Sequence, residues 1–241
     1  MEAFTGFTPA ALTFLRRLKR NNRRDWFQEN RATWEREVLA PMRLFVEDMD
    51  VRFARFAPEI IGDPKRSIFR IHRDVRFSRD KSPYKTHAAC WFKHSHSAHG
   101  VGSERHGAGA GFYFHLEPGA SFVAGGIWMP PRPSLNRLRE AIAERPAAFA
   151  RTMSSPAFRR RFGELSTEAM LTRLPRGFAA DHPAARWLRY QSFTVSAPLS
   201  DEQVTDPRLC DRVERDFGHM LDFVRWLNIA LGYPPASRRV A

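Results

Sequence analysis

Residues 111–129 read GFYFHLEPGASFVAGGIWM, two apolar, aromatic-rich runs on either side of a Pro-Gly pair. Proline presets φ for the first central position of a turn, and glycine accepts the backbone conformation that other residues avoid. The stretch therefore predicts a β-hairpin, Gly111 to Leu116 against Ala120 to Met129, turning at Pro118-Gly119. Gly125-Gly126 inside the second arm marks a bulge or a place where another group approaches the backbone closely.

Working outward, a strand is expected from His87 to Phe92 before the hairpin and another from Tyr190 to Ala197 after it. A further strand is expected from Ile68 to Phe77, where Phe69, Ile71, Val75 and Phe77 alternate with Arg70, His72, Asp74 and Arg76. Arg73 interrupts the apolar side, so this strand should give way to a turn near His72. Ser78 to Pro83 reads as loop, with Ser82-Pro83 disfavouring helix.

Helical periodicity lies at both ends. Thr8 is an N-cap with Pro9 at the first helical position, Phe14, Leu15 and Leu18 form the buried side, and Asn21-Asn22 ends the helix. From Arg24 to Phe56 apolar residues recur at three- and four-residue steps, and Pro41 should kink or split this helix. Trp26 and Trp34 belong to that stripe, so packing is their simplest role. After the hairpin, Ser134 should cap a helix to about Glu144, Pro146 should open one to about Ser154, and Pro156 to Phe162 a shorter one. Leu174 to Tyr190 reads as a loop with a helical turn. Thr205-Asp206-Pro207 should start the last helix, buried along Leu209, Val213, Phe217, Met220, Val224, Leu227 and Leu231 and stopped by Gly232. Helices first and last, with hairpin-linked strands between, predict an α+β fold. Its mainly antiparallel sheet of about five strands packs with N-terminal and C-terminal helices. The expected organisation is a single domain over residues 1–241, with a mobile polar loop from His94 to Ala110 and a flexible tail over 234–241.

With 241 residues, 43% apolar and 12% aromatic, the chain can bury a sizeable core. Its apolar runs fall short of a membrane span and its first residues lack a leader pattern, so a soluble cytoplasmic protein is expected, with no membrane partner. Cys90 and Cys210 are the only cysteines and suit reduced, buried thiols. A net charge of +13 admits nucleic acid, anionic metabolites or acidic partners, and equally a solvated basic surface.

Charge concentrates between Arg66 and Lys93, where eight basic residues face Asp74 and Asp80. Only five of the 39 basic residues are lysines, and four of those fall between positions 65 and 93. An anion site is expected here. Arg73 and Arg76 would supply guanidinium forks, Lys81 and Lys85 point charges, Tyr84 a stacking face or hydroxyl, and Ser78 with nearby N–H groups the rest of the cradle. Catalysis there would fall to Asp74 or Asp80 as base, to Lys81 with a lowered pKa, and to His182 as acid or base. The competing readings are that Asp74 and Asp80 pair with these cations and pin a loop, and that His182, within Asp181-His182-Pro183, serves a turn. His94, His96, His99 and His106 come without a carboxylate or cysteine at ligand spacing, so no metal site is expected. No phosphate loop, nucleophile elbow, HExxH or zinc-type CxxC is present, and no cofactor is indicated.

The segment FRIHRDVRFSRDKSPYK resembles the signature of the domain-of-unknown-function 2461 family. FLRRLKRNNRRDWFQENRATWE, GAGFYFHLEPGASFVAGGIWMP and LPRGFAADHPAARWLRYQSF are similar to the same family, in order, from about Phe7 to Leu231. The resemblance implies a bacterial-type soluble protein and brings no reaction, cofactor or catalytic residue. The leading expectation is thus a protein that binds an anionic small molecule and acts on something phosphorylated or nucleotide-like. The alternatives are nucleic-acid binding through basic residues interleaved with Phe69, Phe77, Tyr84, Trp91 and Phe92, and an interaction module for an acidic partner.

Overall fold

The hairpin forms as the Pro-Gly pair dictates. In the computed structural model, which describes residues 4–76, 79–97 and 109–237, β3 (Gly111–Leu116) pairs antiparallel with β4 (Ser121–Ile127). Gly119 turns between them at φ 74°. β2 (Ala88–His94) lies beside β3, β5 (Phe193–Leu199) beside β4, and the two-residue β1 (Ile60–Ile61) beyond β2. The spatial order is the chain order, β1-β2-β3-β4-β5, with every neighbouring pair antiparallel.

Side chains alternate across a pleated sheet, and one parity here packs against helices. Phe112 and Phe114 point into the core. Phe114 lies 4.5 Å from Phe45 of α4 (Ala40–Phe56), and Phe112 lies 4.6 Å from Phe217 of α10 (Leu209–Ala230). The whole expected stripe of α10, from Leu209 to Leu231, is buried. The Gly125-Gly126 pair is a close approach, as its sequence suggested. A Cβ on Gly125 would lie 2.6 Å from Met220 Sδ, and one on Gly126, whose φ is +122°, would lie 2.0 Å from the Phe193 carbonyl oxygen. Two buried carboxylates tie α10 to the rest. Arg225 donates to Glu59 at 2.6 and 3.2 Å, and Arg161 of α7 (Pro156–Phe162) to Asp216 at 2.9 and 2.8 Å.

The N-terminal helices follow their signals. α1 (Pro9–Arg20) is capped by Thr8 Oγ1, which accepts from the Ala11 N–H at 3.2 Å. The long apolar stripe is divided into α2 (Arg24–Glu29), α3 (Arg31–Trp34), a π turn (Glu35–Leu39) and α4. Pro41 has no N–H to donate, so the ladder loses a bond just where the wide turn sits, and the Ala40 N–H reaches back to the Glu35 carbonyl. Behind the sheet run α5 (Arg132–Glu144), α6 (Pro146–Thr152), α7 and the one-turn α8 (Ala185–Leu188).

Three expectations are corrected. Residues 68–76 do not form a strand. Only Ile68 and His72 make isolated bridges, to Cys90 and Tyr84, and the segment folds back on itself where Arg73 donates to the Pro83 carbonyl and Lys85 to that of Ile71. The fifth strand is instead Ile60–Ile61, too short to show a period. α5 begins at Arg132 after Pro131, which places Ser134 inside its first turn rather than at the cap; Pro133 suits that turn because its missing N–H has no partner to serve. Finally, Thr205-Asp206-Pro207 does not open α10. Thr205 closes α9 (Asp201–Thr205), whose start is a Ser200–Gln203 capping box, and α10 begins at Leu209. Phe77, Ser78, His99, His106 and residues 238–241 lie outside the described residues. Among the described residues, no helix is long and apolar enough to cross a membrane.

Candidate functional site

The other parity of the strands faces away from the helices. Trp91, Tyr113, Phe122 and Thr194, one from each of β2 to β5, line a cavity of about 470 Å³ over this face, within the range of small-molecule sites. The folded-back arm before β2 adds Phe69 and Lys85, and the segment between α7 and α8 adds Ser166 and Glu168. Ser166 is held there by its N–H, which donates to the Thr194 carbonyl at 2.9 Å. Of the aromatics interleaved with the basic residues, Tyr84 and Phe92 are core, whereas Phe69 and Trp91 turn to the cavity.

The basic motif is laced together by its own acids. Arg73 pairs with Asp80 and donates to Ser82 Oγ at 2.9 Å. Asp80 also accepts from the Ser82 N–H at 2.9 Å and its hydroxyl at 2.6 Å, and these bonds, with Arg73, hold the carboxyl at about 2. Arg76 grips Asp74 through two nitrogens at 3.0 and 2.6 Å, which holds that carboxyl at about 2 as well. Lys81 donates to the Val75 carbonyl at 2.9 Å. The Tyr84 ring is 2% exposed and stacks on Phe27 at 4.2 Å, so it offers no face to a ligand. His182 lies away from the cavity lining, and its Nδ1 accepts the Ala184 N–H at 3.0 Å, closing the turn before α8. Of the expected site residues that are described, Lys85 alone lines the cavity. Its ammonium stands 5.3 Å from the centre of the Phe69 ring, and among the described residues it makes no ion pair. Burial lowers its pKa, and Arg70 lowers it further.

A second group of polar residues went unread in the sequence. Tyr113, His115 and Glu117 follow one another at period two along β3 and the turn after it. The Tyr113 hydroxyl meets His115 Nδ1 at 3.0 Å, and His115 Nε2 meets a Glu117 carboxylate oxygen at 3.2 Å. The His115 ring stacks on Phe122 at 4.6 Å and lies 4.2 Å from the ring of His87, which lines the cavity. Burial and the neighbouring His115 push His87 down to about 4, and burial lowers His115 against the pull of Glu117. Both imidazoles are therefore neutral near pH 7. Burial raises the Tyr113 phenol, which stays protonated. His87, His115 and Glu117 each offer a ligand atom, all within 4.8 Å of one another. The signal in the sequence is the Tyr-x-His-x-Glu spacing, which on a strand puts all three side chains on one face.

Residues 10–226 match a family described as "Conserved hypothetical protein (DUF2461)". The chain belongs to this family. No curated protein and no solved structure matches it. In this DUF2461 chain the matched span runs from α1 into α10. It therefore takes in the basic arm, the hairpin and every residue of the cavity lining from Phe69 to Ser196.

Proposed function

We propose that this protein binds a small, flat molecule carrying a single anionic group, held over the open sheet face with that group on Lys85. The observation that carries this reading is the position of Lys85: a partly desolvated ammonium, without a carboxylate partner among the described residues, at the wall of an aromatic-lined cavity. A buried charge left unpaired is costly, and an anionic ligand removes that cost. Trp91, Tyr113 and Phe122 favour a planar body through offset stacking. A single lysine suits a carboxylate or monophosphate better than a polyphosphate, because the neighbouring Arg73 and Arg76 are already engaged by Asp80 and Asp74. The expectation of an anionic small molecule is kept, with its contact moved from the loop to the cavity.

The test is thermal unfolding of wild type and Lys85→Met with aromatic carboxylates, nucleoside monophosphates, inorganic phosphate and short single-stranded oligonucleotides. A ligand at a hundredfold its Kd stabilises by about 2.7 kcal/mol, a melting shift of roughly 5–10 °C for a chain of this size. The expected result is a shift with one planar compound bearing a single carboxylate or phosphate in the wild type that Lys85→Met loses. An equal shift in both proteins, or none with any compound, removes Lys85 as the anchor. A shift with oligonucleotides alone, abolished by salt, makes the aromatic face a nucleic-acid platform instead.

A further inference from the structure

We infer that His87, His115 and Glu117 form a binding site for a divalent first-row transition ion at the edge of the cavity. The inference concerns different residues from the Lys85 reading and stands whatever small molecule the cavity takes.

Register brings the three together. Ala89 of β2 faces His115 of β3, and Ala88 faces Leu116. His87, two residues before Ala89, therefore shares its face and comes beside Glu117, two residues after His115. The resulting donor set is two imidazoles and one carboxylate, their ligand atoms within 4.8 Å of one another. This set suits zinc, iron, cobalt and nickel better than the hard, oxygen-seeking magnesium and calcium. Three protein ligands leave coordination positions open, and His87 places them at the cavity.

The surroundings are those of a ligand set held in place. Tyr113 meets His115 Nδ1 at 3.0 Å and fixes the ring so that Nε2 is turned to Glu117; orienting partners of this kind accompany metal-binding histidines. The stacked Phe122 restrains the same ring from its face. When a metal takes Nε2, the ring proton resides on Nδ1 and donates to the Tyr113 oxygen, so the change of tautomer releases no proton. Glu117 divides its two oxygens, one 3.7 Å from Lys19 Nζ and the other on His115 Nε2, and an ion bound between the latter two would replace their hydrogen bond. Opposing charges also face the cluster: Lys85 and Arg73 act on His87, and Lys19 on Glu117. They set an affinity weaker than that of a closed structural zinc site.

The test is titration of the chelator-treated full chain with Co²⁺, read by its visible d–d absorption, with Zn²⁺ in competition. Three variants accompany it: Glu117→Gln, His87→Gln, and a control in which His96, His99 and His106 are all replaced by Gln. The expected result is a single equivalent of cobalt with nitrogen-ligated absorption, displaced by zinc. Affinity should fall at least about tenfold to a hundredfold in each ligand variant and stay unchanged in the control. In the wild type, the ring NMR signals of His87 and His115 should move with zinc, which reads the site even where a variant fails to fold. Absent d–d bands, loss of binding in the control alone, or zinc-induced shifts confined to the other histidines would each overturn the assignment.

Discussion

Removing the guanidinium of Arg225 should destabilise this protein more than any exposed substitution. Glu59 stands just before β1 with 1% of its surface exposed, and Arg225 of α10 donates to both its oxygens, at 2.6 and 3.2 Å. A third Arg225 contact, from Nη2 to the Phe56 carbonyl at 3.3 Å, ties the end of α4 to the same side chain. Arg225→Ala leaves a carboxylate enclosed with no countercharge, a change that costs about 3–5 kcal/mol. At about 2–4 °C per kcal/mol for a chain of this size, the melting temperature should fall by roughly 6–20 °C. Glu59→Met/Arg225→Met removes both charges, and most of the loss should return because the desolvation cost goes with them. Urea unfolding of Glu59→Met, Arg225→Met and the double variant gives the coupling directly. If Arg225→Ala costs less than about 1 kcal/mol, or if the double variant is worse than either single one, the pair is not the desolvated latch described here.

Gly126→Ala should cost at least about 3 kcal/mol in urea unfolding, because φ is +122° and the new Cβ would sit 2.0 Å from a backbone oxygen of β5; a loss under about 1 kcal/mol would mean the strands part easily there. The Asp80 carboxyl, held at about 2 by Ser82 and then Arg73, should show that midpoint by carbon NMR, and Ser82→Ala should move it up toward 3.8. Because its folded pKa is depressed, its contribution to stability is present above 3.8 and is lost as pH falls through about 2; an unmoved midpoint in Ser82→Ala would refute the assignment. Cys90 and Cys210 are both buried, and burial raises both thiols. Native protein should resist a disulfide reagent over hours while denatured protein reacts at both sites, and rapid native labelling would contradict the packing around them.

Periodicity carried most of the fold. The α10 stripe, the Pro118-Gly119 hairpin and the Thr8 cap were legible because each depends on residues close in sequence. Residues 68–76 misled because alternation reports which side chains share a side, whereas a strand also needs a partner along its whole length. The same limit governed the site. A cluster of cations between Arg66 and Lys93 is plain in the sequence, yet their pairing depends on how the arm folds back. That fold-back engages Arg73 and Arg76 with Asp80 and Asp74 and leaves Lys85 facing the cavity. Likewise Phe69 and Trp91 do not differ in hydropathy from their core neighbours, and only the choice of which sheet face receives the helices sends them to the cavity. The approach of His87 to Glu117 rests on the pairing of β2 with β3 across the long stretch between them, a register that no local pattern encodes.

The sheet's alternation has a consequence for how this protein can change. Along β4, Val123 is spoken for by the helices, while its neighbours Phe122 and Ala124 address the cavity; along β5, Ala197 does the first and Thr194 and Ser196 the second. Two messages are interleaved letter by letter, one specifying the architecture and the other the chemistry of the chamber. The two overlap at Gly125, Gly126, Ile127 and Val195, which line the cavity and also pack closely against the rest of the fold. Descendants of such a chain can explore new ligands at Phe122, Ala124, Thr194 and Ser196 while inheriting the helix-facing residues, and a designer can do the same, with Gly126 left in place.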